Sequence, residues 1–201
     1  MKNSRYQEKN GINGTGLRYT DGGSGNAVLL LRTAQKSALA ERLGQDFRLI
    51  TFELHDSKRQ RNVAEAIGRT ADQLGIANYC LIAESELAEI AIAHAIGSGD
   101  SVQALILLAP AYASNDNSDD LRLEEICAPT LVLFGTRDQV VPPETGRNYA
   151  RRIPKCFYTL VYDAGHDIGV DRPESLYAVV RDFLQHREKF IIPHENSAIN
   201  P

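Results

Sequence analysis

Two patterns exchange regularly along this chain, and that exchange constrains the fold more than any other feature. Short apolar runs with almost no polar alternation lie at 27–31 (AVLLL), 79–83 (YCLIA), 102–108 (VQALILL) and 130–134 (TLVLF), separated by longer stretches of helical periodicity. A strand without alternation is apolar on both faces, so both faces must be covered, and parallel strands joined by crossover helices meet that need. The pattern therefore predicts an α/β protein with a mostly parallel central sheet and helices on both faces. Further strands are expected at 17–20, 47–52 and 157–162, with a turn over 21–26, and helices at about 37–43, 62–74, 86–96 and 174–187. Gly44 is expected to end the first helix and Gly75 to cap the second. The last helix should set Leu176, Val179, Val180 and Phe183 on one face.

The chain has 201 residues, enough for one substantial core. Its net charge of −4, with basic residues scattered apart from KRQR at 58–61, argues against nucleic acid or an anionic membrane as partner. That basic run reads as a solvated loop and helix entry. No stretch is apolar enough for a membrane span, and the polar start lacks a signal-peptide core. The three cysteines lie far apart, without a metal-binding pair, and Cys80 falls in an apolar run as a buried thiol. A reduced, cytoplasmic protein is the default expectation. Neither repeats nor a linker divide the chain, which gives a polar segment over 1–10, one domain over 11–189 and an aperiodic tail over 190–201. No histidine or carboxylate spacing suits a metal, and no cofactor is expected. His94, inside an Ala-rich helix, reads as structural, while His55, His186 and His194 carry no motif.

Four ordered segments resemble the α/β-hydrolase family. NGINGTGLRYTDGGSGNAVLLL at 10–31 is similar to its opening hairpin and third strand, and YCLIAESELAEIAIAHA at 79–95 to its strand, nucleophile elbow and helix. APTLVLFGTRDQVVPPE at 128–144 resembles the strand and loop bearing the acid, and YDAGHDIGVDRPE at 162–174 the histidine loop. The resemblance implies an α/β-hydrolase fold without a cap domain, with Ser85 as nucleophile, Asp138 as acid and His166 as general base. It also implies an oxyanion site from the backbone N–H of Glu86 and one near Thr33. These residue types suit acyl transfer: a serine hydroxyl attacks only when a base removes its proton, imidazole titrates near neutrality, and a carboxylate fixes the imidazole tautomer.

The chain departs from the family pattern at the elbow, where Gly-x-Ser-x-Gly is replaced by Ala83-Glu84-Ser85-Glu86-Leu87. Leu87 requires either an opened turn or a neighbour reduced in size. Arg32 and Thr33 stand where relatives carry a His-Gly oxyanion loop. Glu84 and Glu86 place negative charge where an oxyanion must develop, at a cost on the order of 3 kcal/mol for a charge about 6 Å away. A pairing of Arg32 with Glu84 or Glu86 would cancel that cost. The segment 111–128 is short where many relatives insert a cap, which predicts an open, shallow site suited to a small-molecule or carrier-bound acyl group. Three readings stand on these residues: a serine hydrolase of esters or thioesters, a catalytically silent binding or scaffold protein, or another chemistry that such a fold hosts, cofactor-free C–C bond cleavage included. Homo-oligomerisation is left open by the sequence.

Overall fold

The computed structural model describes residues 9–12, 17–33, 38–54, 60–111 and 121–190. Among the described residues eight strands, numbered in chain order, form one sheet in the order β1-β2-β4-β3-β5-β6-β7-β8. They are β1 Lys9–Ile12, β2 Arg18–Gly22, β3 Ala27–Arg32, β4 Arg48–Glu53, β5 Tyr79–Glu84, β6 Val102–Leu108, β7 Thr130–Gly135 and β8 Cys156–Val161. β1 and β2 pair antiparallel, as do β2 and β4, and every pairing from β4 to β8 is parallel. Among the described residues six helices accompany them: α1 Ala38–Asp46, α2 Gln60–Gln73, α3 Ala88–Gly97, α4 Gly146–Arg152, α5 Ile168–Asp171 and α6 Pro173–His186.

The unalternating strands supply two cores, one on each face. Leu29, Leu31, Leu81, Ala83, Leu105, Leu107, Val132 and Phe134 point into a cluster that also holds Ile67 of α2, Ile90 and Ala91 of α3 and Tyr149 of α4. Their neighbours Val28, Leu30, Cys80, Ile82, Ile106, Leu131 and Leu133 join Leu39 and Leu43 of α1 and Leu176, Val180 and Phe183 of α6. Alternate side chains leave a strand on opposite faces. With a helical layer over each face, both sets are buried.

Gly75 has φ +68, the left-handed conformation expected of a helix C-cap. Gly44 does not end α1, which runs two residues further to Asp46. A Cβ on Gly23, in the β2–β3 turn, would lie 2.7 Å from the Gly44 carbonyl oxygen, so that turn seats directly on the end of α1. β2 likewise extends into the expected turn, because Asp21 and Gly22 pair with Ile50 and Leu49 of β4. α5 was not foreseen.

His94 is buried in α3. Its Nδ1 lies 2.7 Å from the Ala64 carbonyl oxygen, and its Nε2 lies 2.6 Å from the Tyr79 hydroxyl. A carbonyl only accepts, so Nδ1 carries the proton and Nε2 accepts from tyrosine. Burial pushes the imidazole pKa down, which suits a neutral strut between α2, α3 and β5.

Between β6 and β7 the described residues contain one short 3-10 turn, Leu123–Glu125, and no cap layer, with 112–120 outside the description. Among the described residues no helix is long and apolar enough to cross a membrane, and no group of His, Cys, Asp and Glu is placed to hold a metal. The expectations for the basic loop (58–59), the opening segment (1–8) and the tail (191–201) lie outside the described residues.

Candidate active site

From β3 the chain builds β4 on one side and β5 on the other. Crevices at the carboxyl ends of strands beside such a switch point are where open α/β sheets bind ligands. Ser85 follows β5 directly at that point. Its φ is +48, a left-handed conformation that costs a non-glycine residue energy and swings the side chain out of the strand-to-helix corner. The turn therefore remains sharp. Leu87, whose size raised the question of an opened turn, is 1% exposed and packs in the core cluster that includes Ala83, Ala88, Ala91 and Ala109. The larger side chain is thus accommodated in the core beneath the turn. A 3-10 turn, Ser85–Leu87, precedes α3, and the Ser85 carbonyl accepts from the Ala111 N–H beyond β6.

Ser85 Oγ lies 2.9 Å from His166 Nε2, and His166 Nδ1 lies 2.9 Å from Asp138 Oδ2. The Asp138 side chain has no exposed surface, and its second oxygen accepts from the Val140 and Val141 N–H groups, each at 2.9 Å. A carboxylate only accepts, so the proton between the two sits on Nδ1, leaving Nε2 free to accept from the serine hydroxyl. The three side chains from the ends of β5, β7 and β8 are thus brought together in one line.

The loops after β7 and β8 are stitched to each other. Arg137 N–H donates to the Ala164 carbonyl (2.8 Å), Asp163 N–H to Thr136 Oγ1 (2.9 Å) and Gly165 N–H to Asp171 Oδ2 (2.7 Å). Arg137 and Arg172 both pair with the Asp163 carboxylate. A Cβ on Gly135 would lie 2.2 Å from the Gly165 carbonyl oxygen and 2.3 Å from that of Ala164. The histidine loop therefore rests on bare backbone. These supporting residues (Gly135, Arg137, Asp163, Asp171) escaped sequence reasoning, since Gly135 and Arg137 meet partners far along the chain and the loop contacts of Asp163 and Asp171 follow no periodic pattern.

Arg32 does not pair with Glu84 or Glu86. Its partner is Glu53, 3.1 Å away and directly opposite it in the parallel β3–β4 register. The ladder brings those two ends together, whereas β5 pairs with β3 only as far as Leu31. The carboxylate penalty is relieved differently. Glu84, half-buried, has its pKa raised from 4.5 to about 7, first by burial and then by the charge of Asp167, with Arg32 opposing and Glu86 adding to the rise. Much of it is uncharged at neutral pH and below, where it no longer repels an oxyanion.

That shift has a consequence for stability. Because the folded value lies above the unfolded one, the stabilisation is complete below pH 4.5 and is lost as pH rises through about 7. Glu84→Gln should therefore match the wild type in urea unfolding near pH 4 and exceed it by about 1–3 kcal/mol at pH 8. Equal stability of the two at pH 8 would show that burial does not hold the proton.

A cavity of about 460 Å³ opens beside Ser85 and His166. Thr33, Glu84 and Glu86 border it, as do Asp167, Ile168 and Val170 of α5 and its entry and Leu176 of α6. The site is an open cleft, and α5 with its entry supplies part of its border. The Asp167 carboxylate caps that helix by accepting from the Val170 N–H at 3.1 Å. Thr33 and Glu86, the expected oxyanion donors, both border the cavity, while residues 34–37 of the oxyanion loop lie outside the description.

A family described as alpha/beta hydrolase fold matches residues 33–173. Among curated proteins the chain is 25% identical over 122 residues to mouse (Mus musculus) protein ABHD14A, covering 61% of this chain and 48% of that one. It is 37% identical over 65 residues to a 2-hydroxy-6-oxononadienedioate/2-hydroxy-6-oxononatrienedioate hydrolase of Pseudomonas putida, covering 32% and 23%. The matches thus span about half and a quarter of those relatives. Among solved structures, a thermophilic esterase from Thermogutta terrifontis superposes with TM-score 0.73 at 19% identity, over 89% of this chain and 98% of that one. At that identity the likeness speaks for the fold alone.

Proposed function

The chain belongs to the α/β-hydrolase fold family, and from that premise we propose that it hydrolyses carboxylic esters or thioesters through an acyl-enzyme on Ser85. One observation carries the reading: the unbroken hydrogen-bonded line from Ser85 Oγ through His166 to a fully buried Asp138, opening on a cleft. In the first half-reaction Ser85 Oγ attacks the substrate carbonyl while His166 Nε2 takes its proton. Asp138 holds the Nδ1–H tautomer and stabilises the imidazolium. The oxyanion accepts from the Glu86 N–H and from the backbone at Thr33. Collapse expels the alcohol or thiol, which leaves with the proton from His166. A water then attacks the acyl-serine with His166 again as base, releasing the carboxylic acid and restoring Ser85.

The direct test is labelling by a fluorophosphonate, which phosphonylates only an activated serine. Wild type should be labelled, and Ser85→Ala should not. Absence of labelling in folded wild type would favour the catalytically silent binding protein, with Glu84 and Glu86 as the elements that suppress attack.

A further inference from the structure

We infer that the inner end of the cleft is a hydrocarbon subsite, closed by Leu108, Ile168 and Leu176, that admits one aliphatic substituent of an ester and limits its length. The inference rests on the hydrolase reading of Ser85 and names a substrate class for that same site. Its basis is the distribution of burial over the lining residues. Among the described residues that border the cavity, three are themselves buried: Leu108 at the end of β6 (5% exposed), Ile168 of α5 (2%) and Leu176 of α6 (2%). They come from three elements, all are aliphatic, and all belong to the core cluster that holds Leu39, Leu43 and Val180. The polar side chains of the same border, Ser85 and His166 included, are half-buried or exposed, and Val170 is 70% exposed. The reacting groups therefore stand nearer the mouth, and the deepest part of the cavity abuts the core.

An aliphatic wall accepts hydrocarbon and opposes polar groups, because a polar group placed against it gives up water and finds no partner. Each methylene that leaves water for such a wall strengthens binding about fourfold. The gain ends abruptly. Side chains behind the wall are close-packed, and a substituent too long for the space must displace them. The volume, about 460 Å³ in all, is in the range that holds a small molecule. Of the three closing residues, Leu176 is the one that can change without moving a reacting group. Leu108 pairs with Glu84 in the β5–β6 ladder, and the Ile168 N–H donates to the His166 carbonyl at 3.1 Å. Leu176 belongs to α6 and lies against α5, its Cδ2 3.7 Å from where a Cβ on Gly169 would stand.

The experiment measures Ser85-dependent kcat/KM for two series of straight-chain esters, one lengthened in the acyl chain and one in the alcohol, which shows which substituent enters. In at least one series kcat/KM should rise about fourfold per methylene to a limit and then fall by about 10-fold or more. Leu176→Ala should move that limit outward by about two or three methylenes, the hydrocarbon that the substitution removes. Leu176→Val removes less, should move it by about one, and replaces the alanine variant if that one fails to fold. Val180→Ala is the control: Val180 is 0% exposed, lies on the same helix and in the same cluster, and is not among the lining residues, so the limit should stay. No dependence on chain length, a limit that neither Leu176 variant moves, or one that Val180→Ala moves as far would overturn the inference while leaving the hydrolase standing. If no ester shows Ser85-dependent turnover, the hydrolase reading fails. Calorimetric titration with straight-chain alcohols then decides the subsite by itself. Binding that tightens about fourfold per methylene to a limit extended in a folded Leu176 variant supports it, and binding that ignores the substitution, or none, overturns it.

Discussion

Ser85→Ala and His166→Ala should each lower kcat for a short activated ester by roughly a thousandfold or more, and the double variant should be little worse than either. The reason is geometric. Ser85 Oγ at 2.9 Å from Nε2 is activated only through that contact, so removing either partner disables the same step. KM should change little, because neither side chain supplies most of the contact area of the cleft. Asp138→Asn belongs to the same unit. An amide can turn its NH₂ towards Nδ1, which then gives up its proton, and the proton on Nε2 blocks acceptance from serine. Losses that multiplied across the single variants would mean that turnover arises away from this line of residues.

The second large effect is expected at Gly135, which is not among the residues lining the cleft. Gly135→Ala places a methyl 2.2 Å and 2.3 Å from two backbone oxygens of the histidine loop, and backbone cannot rotate aside as a flexible side chain would. Relief requires lifting Ala164 and Gly165 off β7, with His166 carried along. Stability should fall by about 3 kcal/mol or more. Activity in the folded fraction should fall by about a hundredfold, since displacement of a catalytic group by about 1 Å has that consequence. Gly97→Ala is the matched control, for nothing lies within 4 Å of its added methyl and α3 should if anything gain stability. Urea unfolding and kcat measured on both variants decide the matter, and a Gly135→Ala enzyme as stable and active as wild type would remove the loop-seating argument.

The parallel sheet, its two covered faces and the order of its elements were determined by the sequence itself. Strands apolar on both faces, as at 27–31 and 102–108, have no stable place except between two layers, and that requirement is local enough to read from one segment at a time. The positions of Ser85, Asp138 and His166 after β5, β7 and β8 were legible for the same reason, through the resemblance of each strand-end context. What surrounds them was not. Arg32 takes Glu53 because the β3–β4 ladder sets the two strand ends opposite each other, a fact of register between segments 21 residues apart. The Glu84 carboxyl is pushed up to about 7 because parts of the chain from elsewhere exclude water from it and bring Asp167 near. Gly135 must be glycine because a loop about 30 residues later, a span set by the crossover through α4 and β8, lies on it. Each depends on a distance between parts of the chain far apart in sequence. Apolar periodicity specifies which face of an element is buried, and only the packed structure specifies what lies against it.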